Sequence, residues 1–396
     1  MQALQSEAII DSQNDYPEYA GTLSLDALIE EIERRRDEFD VVSHVPRDMV
    51  GKMKRAGIFR ASTPKRFGGD ALPPARFLEM LERIAIADGS AAWVAAFGSA
   101  NTYLASLPVE TQARTYATGP DQVFAGGLYP LQKAERAPGG FLVSGQWRFA
   151  SGCKGADWIG VGIGGAPAST DDKNAGKPFT AVFPASEVEI VDNWNVVGMQ
   201  GTGSHDLRLK DKYVEEQWTF VRGGTPLIDE PLYRYPAVAY QAQVHAAVNI
   251  GLARAALDLL AGMSGVTKTT TGAPRLADRA YYRSGLAHAE AQLRSARAFF
   301  FECAETSWRT VLAGDPVLPA EANLLRLSAT HAAHTCADIV MQAYKMAGIG
   351  AIYRENRMQR LVRDSIVVTQ HAFLGEGNYD ASGAIFVGIP PVTPYP

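Results

Sequence analysis

Three stretches of the chain carry residue types whose spacing can do chemistry. The first is Phe141-Leu-Val-Ser-Gly-Gln-Trp147-Arg-Phe-Ala-Ser151-Gly-Cys153, in which apolar and polar residues alternate up to Trp147 before a serine enters a glycine bend. Alternation is the period of a half-buried strand, Ser151-Gly152 breaks it, and the aromatic ledge it leaves suits a planar ligand. The second is Gly198-Met-Gln-Gly201-Thr202-Gly203-Ser204, a bend between two strands with backbone N–H groups and two hydroxyls. It reads either as a cradle for a phosphate or the polar edge of a planar cofactor, or as a plain hairpin. The third runs from Arg363-Asp364 to Gln370-His371 at the end of a helix. A lone histidine on a mostly apolar helix is either a satisfied core residue or an acid–base group.

Other patterns point away from familiar chemistries. Gly160-Val-Gly162-Ile-Gly-Gly165 matches the dinucleotide fingerprint, but Ala-Pro-Ala-Ser-Thr follows it where a helix must begin. His331 and His334 share a helical face, yet the chain has no Glu-x-x-His, so a carboxylate-bridged metal bundle is not expected and no metal is assigned. No Gly-x-Ser-x-Gly elbow or Walker loop occurs. Cys153, Cys303 and Cys336 are odd in number and far apart, which predicts buried free thiols.

The elements that must position these stretches follow the order α, β, α, an α+β fold. Residues 1–121 read as an α-helical domain. Ser24 is placed to cap a helix through Leu28 and Ile32; Pro74 opens another with Phe77, Leu78, Leu81, Ile84 and Ala85 on one face; and 90–104 is apolar almost all round. Residues 122–230 show short β-type runs at 123–131, 141–149, 158–163, 179–183, 188–197 and 205–214, spaced as in an antiparallel barrel or sandwich. Residues 231–396 return to helix: Val244, Val248, Leu252, Ala255 and Leu259 recur at helical spacing, three more helices follow to about residue 373, and a Pro-rich extended tail ends the chain. Short breaks between them predict an antiparallel four-helix bundle.

At 396 residues, 46% hydrophobic and net charge −5, the composition is that of an ordinary soluble protein. It has no Lys/Arg block, so neither nucleic acid nor an anionic membrane is an expected partner. Without a signal-like N-terminus or a long uninterrupted apolar run, the expected location is cytoplasmic.

The domain order and motifs together resemble the acyl-CoA dehydrogenase superfamily over about residues 25–388. Gly251-Leu-Ala-Arg, Gln342, Gly348-Ile-Gly350 and Arg360-Leu-Val-Arg363-Asp364 carry the likeness. The runs Ser144 to Cys153, Val196 to Ser204 and Arg363 to His371 look like the flavin-dependent two-component monooxygenase branch, which includes phenol and hydroxyphenylacetate hydroxylase oxygenase components. A dehydrogenase needs a carboxylate base, which the resemblance implies would stand about eight residues after the Arg-Asp pair, and Ala372 stands there; Glu376 would serve only with an insertion. The acyl-CoA dehydrogenase reading is therefore the alternative, and a non-enzymatic helical scaffold a third.

The resemblance implies reduced flavin (FAD or FMN) supplied by a separate NAD(P)H-flavin reductase, reaction with O2 to a C4a-hydroperoxyflavin, oxygen transfer to an aromatic substrate, and a homotetramer. It implies that Trp147 walls the isoalloxazine pocket, that Ser151 hydrogen-bonds near flavin N5, and that Gly201, Thr202 and Ser204 hold the flavin edge or phosphate. Lys268 and Arg275 suit the phosphate charge, and His371 faces the substrate. Where phenol hydroxylases carry a histidine and a serine cluster, this chain reads Gly98-Ser-Ala-Asn101-Thr-Tyr103 and Ala125-Gly-Gly-Leu-Tyr129. That favours an indole-type substrate over a phenol, with Asn101, Tyr103 and Tyr129 near the pocket.

Overall fold

A computed structural model of the protein describes residues 22–164, 179–264 and 275–391. Six helices come first: α1 (Leu25–Val42), α2 (Arg47–Arg55), α3 (Pro74–Ala87), α4 (Gly89–Ala95), α5 (Asn101–Leu104) and α6 (Val109–Thr115). Ser24 caps α1 by accepting from the Ala27 N–H at 3.2 Å, and Leu28, Ile32 and Phe39 form its buried stripe. Pro74 lies in the first turn of α3, whose face of Phe77, Leu78, Leu81, Ile84 and Ala85 is buried as the periodicity predicts. Asp88 ends α3 and caps α4 through the Ala91 N–H at 2.8 Å, so the two helices turn about one carboxylate.

Strands β1 (Phe124–Ala137), β2 (Gly140–Ala150), β3 (Trp158–Gly164), β4 (Phe179–Pro184), β5 (Glu189–Val191), β6 (His205–Glu215) and β7 (Thr219–Val221) form one seven-stranded sheet in the order β5-β6-β2-β1-β3-β4-β7. Every ladder is antiparallel except that between β1 and β3, which departs from the fully antiparallel pattern expected. After β2 the chain does not fold back as a hairpin. It passes through the Ser151–Asp157 turn and enters on the far side of β1, which fixes a parallel pairing.

Helices α7 (Pro231–Arg234), α8 (Ala237–Gly262), α9 (Ala280–Leu312), α10 (Pro319–Ala347), α11 (Arg357–Thr369) and α12 (Gly377–Phe386) complete the fold. Helix α8 is apolar enough to cross a bilayer, but most of it is buried against α3, α10 and α11, as befits the central helix of a bundle. Gly251 lets α3 approach: a Cβ there would lie 2.4 Å from the Glu82 carbonyl oxygen and 2.5 Å from the Ala85 Cβ. The four long helices are those expected. Helix α12 is additional, lying between the last expected helix and the Pro-rich end, and His371 lies in the turn just after α11 rather than on a helix.

Candidate active site

Helix α11 locks three other segments in place. Arg360 forms ion pairs with Asp88 at 2.6 Å, Asp40 at 3.1 Å, Asp37 at 3.4 Å and Asp364 at 3.7 Å. Asp364 accepts the Met199 N–H at 2.5 Å, and Arg363 donates to the Val197 carbonyl at 2.8 Å. Arg357 donates to the Ala87 carbonyl at 3.2 Å. The start of α4, the end of α1 and the 197–204 loop are thereby held to the helix that ends near His371.

From that frame a chain of buried hydrogen bonds emerges. Trp93 on α4 donates its indole N–H to Ser151 Oγ at 3.1 Å; Ser151 Oγ lies 2.6 Å from Ser204 Oγ, and Ser204 Oγ 2.8 Å from Thr202 Oγ1. Thr202 donates to the Met199 carbonyl at 2.8 Å. Because Thr202 spends its proton there, the order of donation is fixed: Ser204 donates to Thr202, and Ser151 donates to Ser204. Ser151 Oγ is left with a lone pair, able to accept from an incoming N–H.

On its other side Trp93 meets two imidazoles. The His245 and His371 rings stack at 4.7 Å and 12°, and Trp93 stands edge-on to both, at 4.3 and 5.4 Å between centroids. Burial pushes His245 down to about 4 and His371 well below the usual histidine range; Arg222 adds to both shifts, and His245 to that of His371. His245 Nδ1 lies 2.6 Å from the Gln241 carbonyl and must donate, which leaves Nε2 as an acceptor. His371 Nδ1 accepts the Phe373 N–H at 3.3 Å, so the proton of its neutral ring is assigned to Nε2. One ring offers an acceptor and the other a donor. Neither shift has a carboxylate among its causes, and Glu376 is exposed.

The expected site residues divide. Ser151, Thr202, Ser204 and His371 come together around Trp93. Trp147 does not: it is 0% exposed, with its indole N–H on the Gly162 carbonyl at 2.7 Å, and has no face for a ligand. The strand alternation is interrupted by a register shift between Trp147 and Ala150, with Phe149 at φ +63°, and the aromatic that projects beside Ser151 is Phe149, 67% exposed. Gly201 is no phosphate cradle either, since a Cβ there would lie 2.8 Å from Phe39 Cβ and 2.9 Å from Ser90 Cβ, and the Thr202 and Gly203 amides bond within the loop. The bend is a packed joint that aims two hydroxyls.

Asn101 is 0% exposed and structural, its amide donating to the Phe59 carbonyl and to Thr63 Oγ1, each at 2.9 Å. Tyr103 is buried beside Arg222, whereas Tyr129 is 60% exposed and pairs with Arg148 across β1 and β2. Arg275 is spent on Asp278 at 3.0 Å, and Lys268 lies outside the described residues. His334 lies 2.8 Å from the Leu374 carbonyl, and no His/Cys/Asp/Glu cluster suited to a metal occurs among the described residues. All three cysteines are buried and free. Sequence reasoning missed Trp93, Phe149, Arg222 and His245. Trp93 and His245 sit within apolar helical runs where they read as core, though each is a polar-tipped ring in an otherwise aliphatic stretch.

Residues 26–118 match the family described as Acyl-CoA dehydrogenase, N-terminal domain, and residues 243–376 the Acyl-CoA dehydrogenase, C-terminal domain. The chain is 51% identical to an indole-3-acetate monooxygenase of Pseudomonas putida over 91% of its length and 92% of that protein's. It is 40% identical to an indole-3-acetate monooxygenase of Acinetobacter baumannii over 94% and 96% of the two chains. More distant relatives include flavin-dependent monooxygenase oxygenase subunits. The crystal structure of 3-HSA hydroxylase from Rhodococcus sp. RHA1 superposes with a TM-score of 0.85, covering 93% of this chain and 97% of that one at 24% identity, a likeness of fold.

Two outcomes follow from the geometry. Phe149→Ala should weaken binding of reduced flavin while leaving thermal stability nearly unchanged, whereas Trp147→Ala should cost about 3–5 kcal/mol of stability as a core truncation; anaerobic titration and thermal melts distinguish them, and the reverse pattern would contradict the assignment. A histidine whose folded pKa is depressed contributes stability above its unfolded value that is lost as pH falls through the folded one. The His245 and His371 ring resonances should therefore stay those of neutral imidazole from pH 8 down to roughly 5.5, well above the depressed folded values; an NMR titration midpoint near the ordinary histidine value would contradict this.

Proposed function

Because the chain belongs to the acyl-CoA dehydrogenase family, in its flavin-dependent monooxygenase branch, we propose that it is the oxygenase component of a two-component system that oxygenates an indole-type aromatic. Indole-3-acetate is the first candidate, since two relatives similar over nearly their whole length carry that activity in their names. A separate reductase would supply the reduced flavin, FAD or FMN, and the active assembly would be a homotetramer. The observation that carries this reading is the Trp93–Ser151–Ser204–Thr202 hydrogen-bond chain beside a neutral histidine pair.

These residues suit a flavin. Ser151 Oγ retains one accepting lone pair, which fits the N5–H of the reduced ring, and Phe149 offers an exposed aromatic face next to it. Bound reduced flavin would supply the reaction with O2 and the oxygen delivered to the substrate ring. The protein's own part is positional and electrostatic. Ser151 would accept a hydrogen bond from the N–H whose proton must not be lost early, while the backing chain through Ser204 and Thr202 commits its own O–H to Ser204. His371 Nε2–H can donate to the oxygen delivered to the substrate, and His245 Nε2 can accept the proton that the oxygenated ring carbon releases. Trp93, between serine and imidazoles, excludes water from the space they share.

Among the described residues no carboxylate acts on the charge of either imidazole, which disfavours α-proton abstraction from a thioester and hence the dehydrogenase alternative. The test supplies the protein with anaerobically reduced flavin, oxygenated buffer and indole-3-acetate. Hydroxylated product is expected; bleaching of bound oxidised flavin by acyl-CoA, or rapid oxidation of phenols with indoles untouched, would contradict the reading. Ser151→Ala should shift partition from product towards H2O2 by roughly tenfold, the worth of one hydrogen bond. Unchanged coupling would remove Ser151 from the mechanism.

A further inference from the structure

Arg222 follows β7, and its guanidinium carbon lies 5.4 Å from the ring centre of Tyr103 and 5.2 Å from that of Phe373. Phe373 packs against His371 at 5.1 Å, so the cation stands one ring away from the imidazole pair. Three other half-buried arginines are matched by acids: Arg60 by Asp121, Arg254 by Glu290 and Asp258, Arg297 by Glu82. Among the described residues no carboxylate forms an ion pair with Arg222.

Its surroundings add positive charge. Arg326 lies 5.8 Å from the Phe373 ring centre and donates to Asn378 Oδ1 at 2.8 Å. The Tyr103 hydroxyl is buried without a hydrogen-bond partner. A half-buried guanidinium with no counter-ion, an unpartnered phenol and aromatic walls together are costly unless an anion with an aromatic body occupies the space. The planar fork of arginine matches a carboxylate, and the rings of Phe373, Trp93 and the imidazole pair match a flat substrate.

We propose that Arg222, supported by the Tyr103 hydroxyl, binds the carboxylate of an arylacetate substrate and so sets its ring against His371 and Trp93. The proposal rests on the aromatic-substrate reading and deepens it, making the acid group a requirement for productive binding. It also explains why the neutral imidazoles matter: they leave the arginine as the cation that the substrate's single charge must find.

The test measures the affinity of the full-length protein for indole-3-acetate and for its neutral amide, indole-3-acetamide, by tryptophan fluorescence, with reduced-flavin affinity in parallel. The wild type should prefer the acid. Arg222→Gln should weaken acid binding roughly 10- to 100-fold and leave amide and flavin binding unchanged. Arg222→Lys should recover part of the loss, and Tyr103→Phe should weaken the acid a few-fold without affecting the amide. Equal losses for acid and amide would overturn the proposal in favour of a packing role. Loss of flavin affinity with the acid preference intact would assign Arg222 to the cofactor phosphate instead. If the wild type bound neither compound, the aromatic-substrate reading would fall and the subsite with it.

Discussion

The arrangement depends on one buried guanidinium. Arg360 gathers Asp88, Asp40 and Asp364 from three parts of the chain. Carboxylates outnumber the cation, and burial, with Asp88 adding to it, pushes Asp364 up to about 7 even though Arg360 and the Met199 amide pull it down. Removing the cation from such a cluster leaves uncompensated buried charge, typically a loss of about 3–5 kcal/mol. The cluster is valuable for what it aims. Asp88 caps the helix that bears Trp93; Asp364 holds the loop that bears Thr202 and Ser204; and Arg360 and Asp364 share the helix whose end delivers His371.

The parts of the fold that rest on periodicity were legible in the sequence. The buried face of α3, the strand at Phe141, and the helical recurrence from Val244 to Ala255 all follow from which residues must leave water. Arg363-Asp364 was legible as a motif, though its work as a joint between helix and loop was not. Failures came where tertiary context overrules local pattern. Alternation predicts that Trp147 and Phe149 share a face, but the irregular ladder at the end of β2 sends one into the core and the other outward. The glycines near Thr202 suggest an open anion site, yet they are small because α1 and α4 press on them.

Residues of the site that lie inside apolar helices were invisible for a related reason. Trp93 and His245 contribute to the core and to the polar chain at once, and composition registers only the first role. Arg222 stands alone between short elements, so no spacing rule could mark it; its meaning comes from the acid it lacks. The site thus combines a rigid hydroxyl chain, neutral stacked bases and one unmatched cation, a division of labour suited to holding a reactive flavin dry while orienting a charged aromatic.

The most direct measurement is a crystal structure with anaerobically reduced flavin and indole-3-acetate bound. The account predicts flavin N5 at roughly 3 Å from Ser151 Oγ, the isoalloxazine against Phe149, and the indole between the flavin and His371. Flavin seated elsewhere, with Ser151 contacting only Trp93 and Ser204, would contradict it.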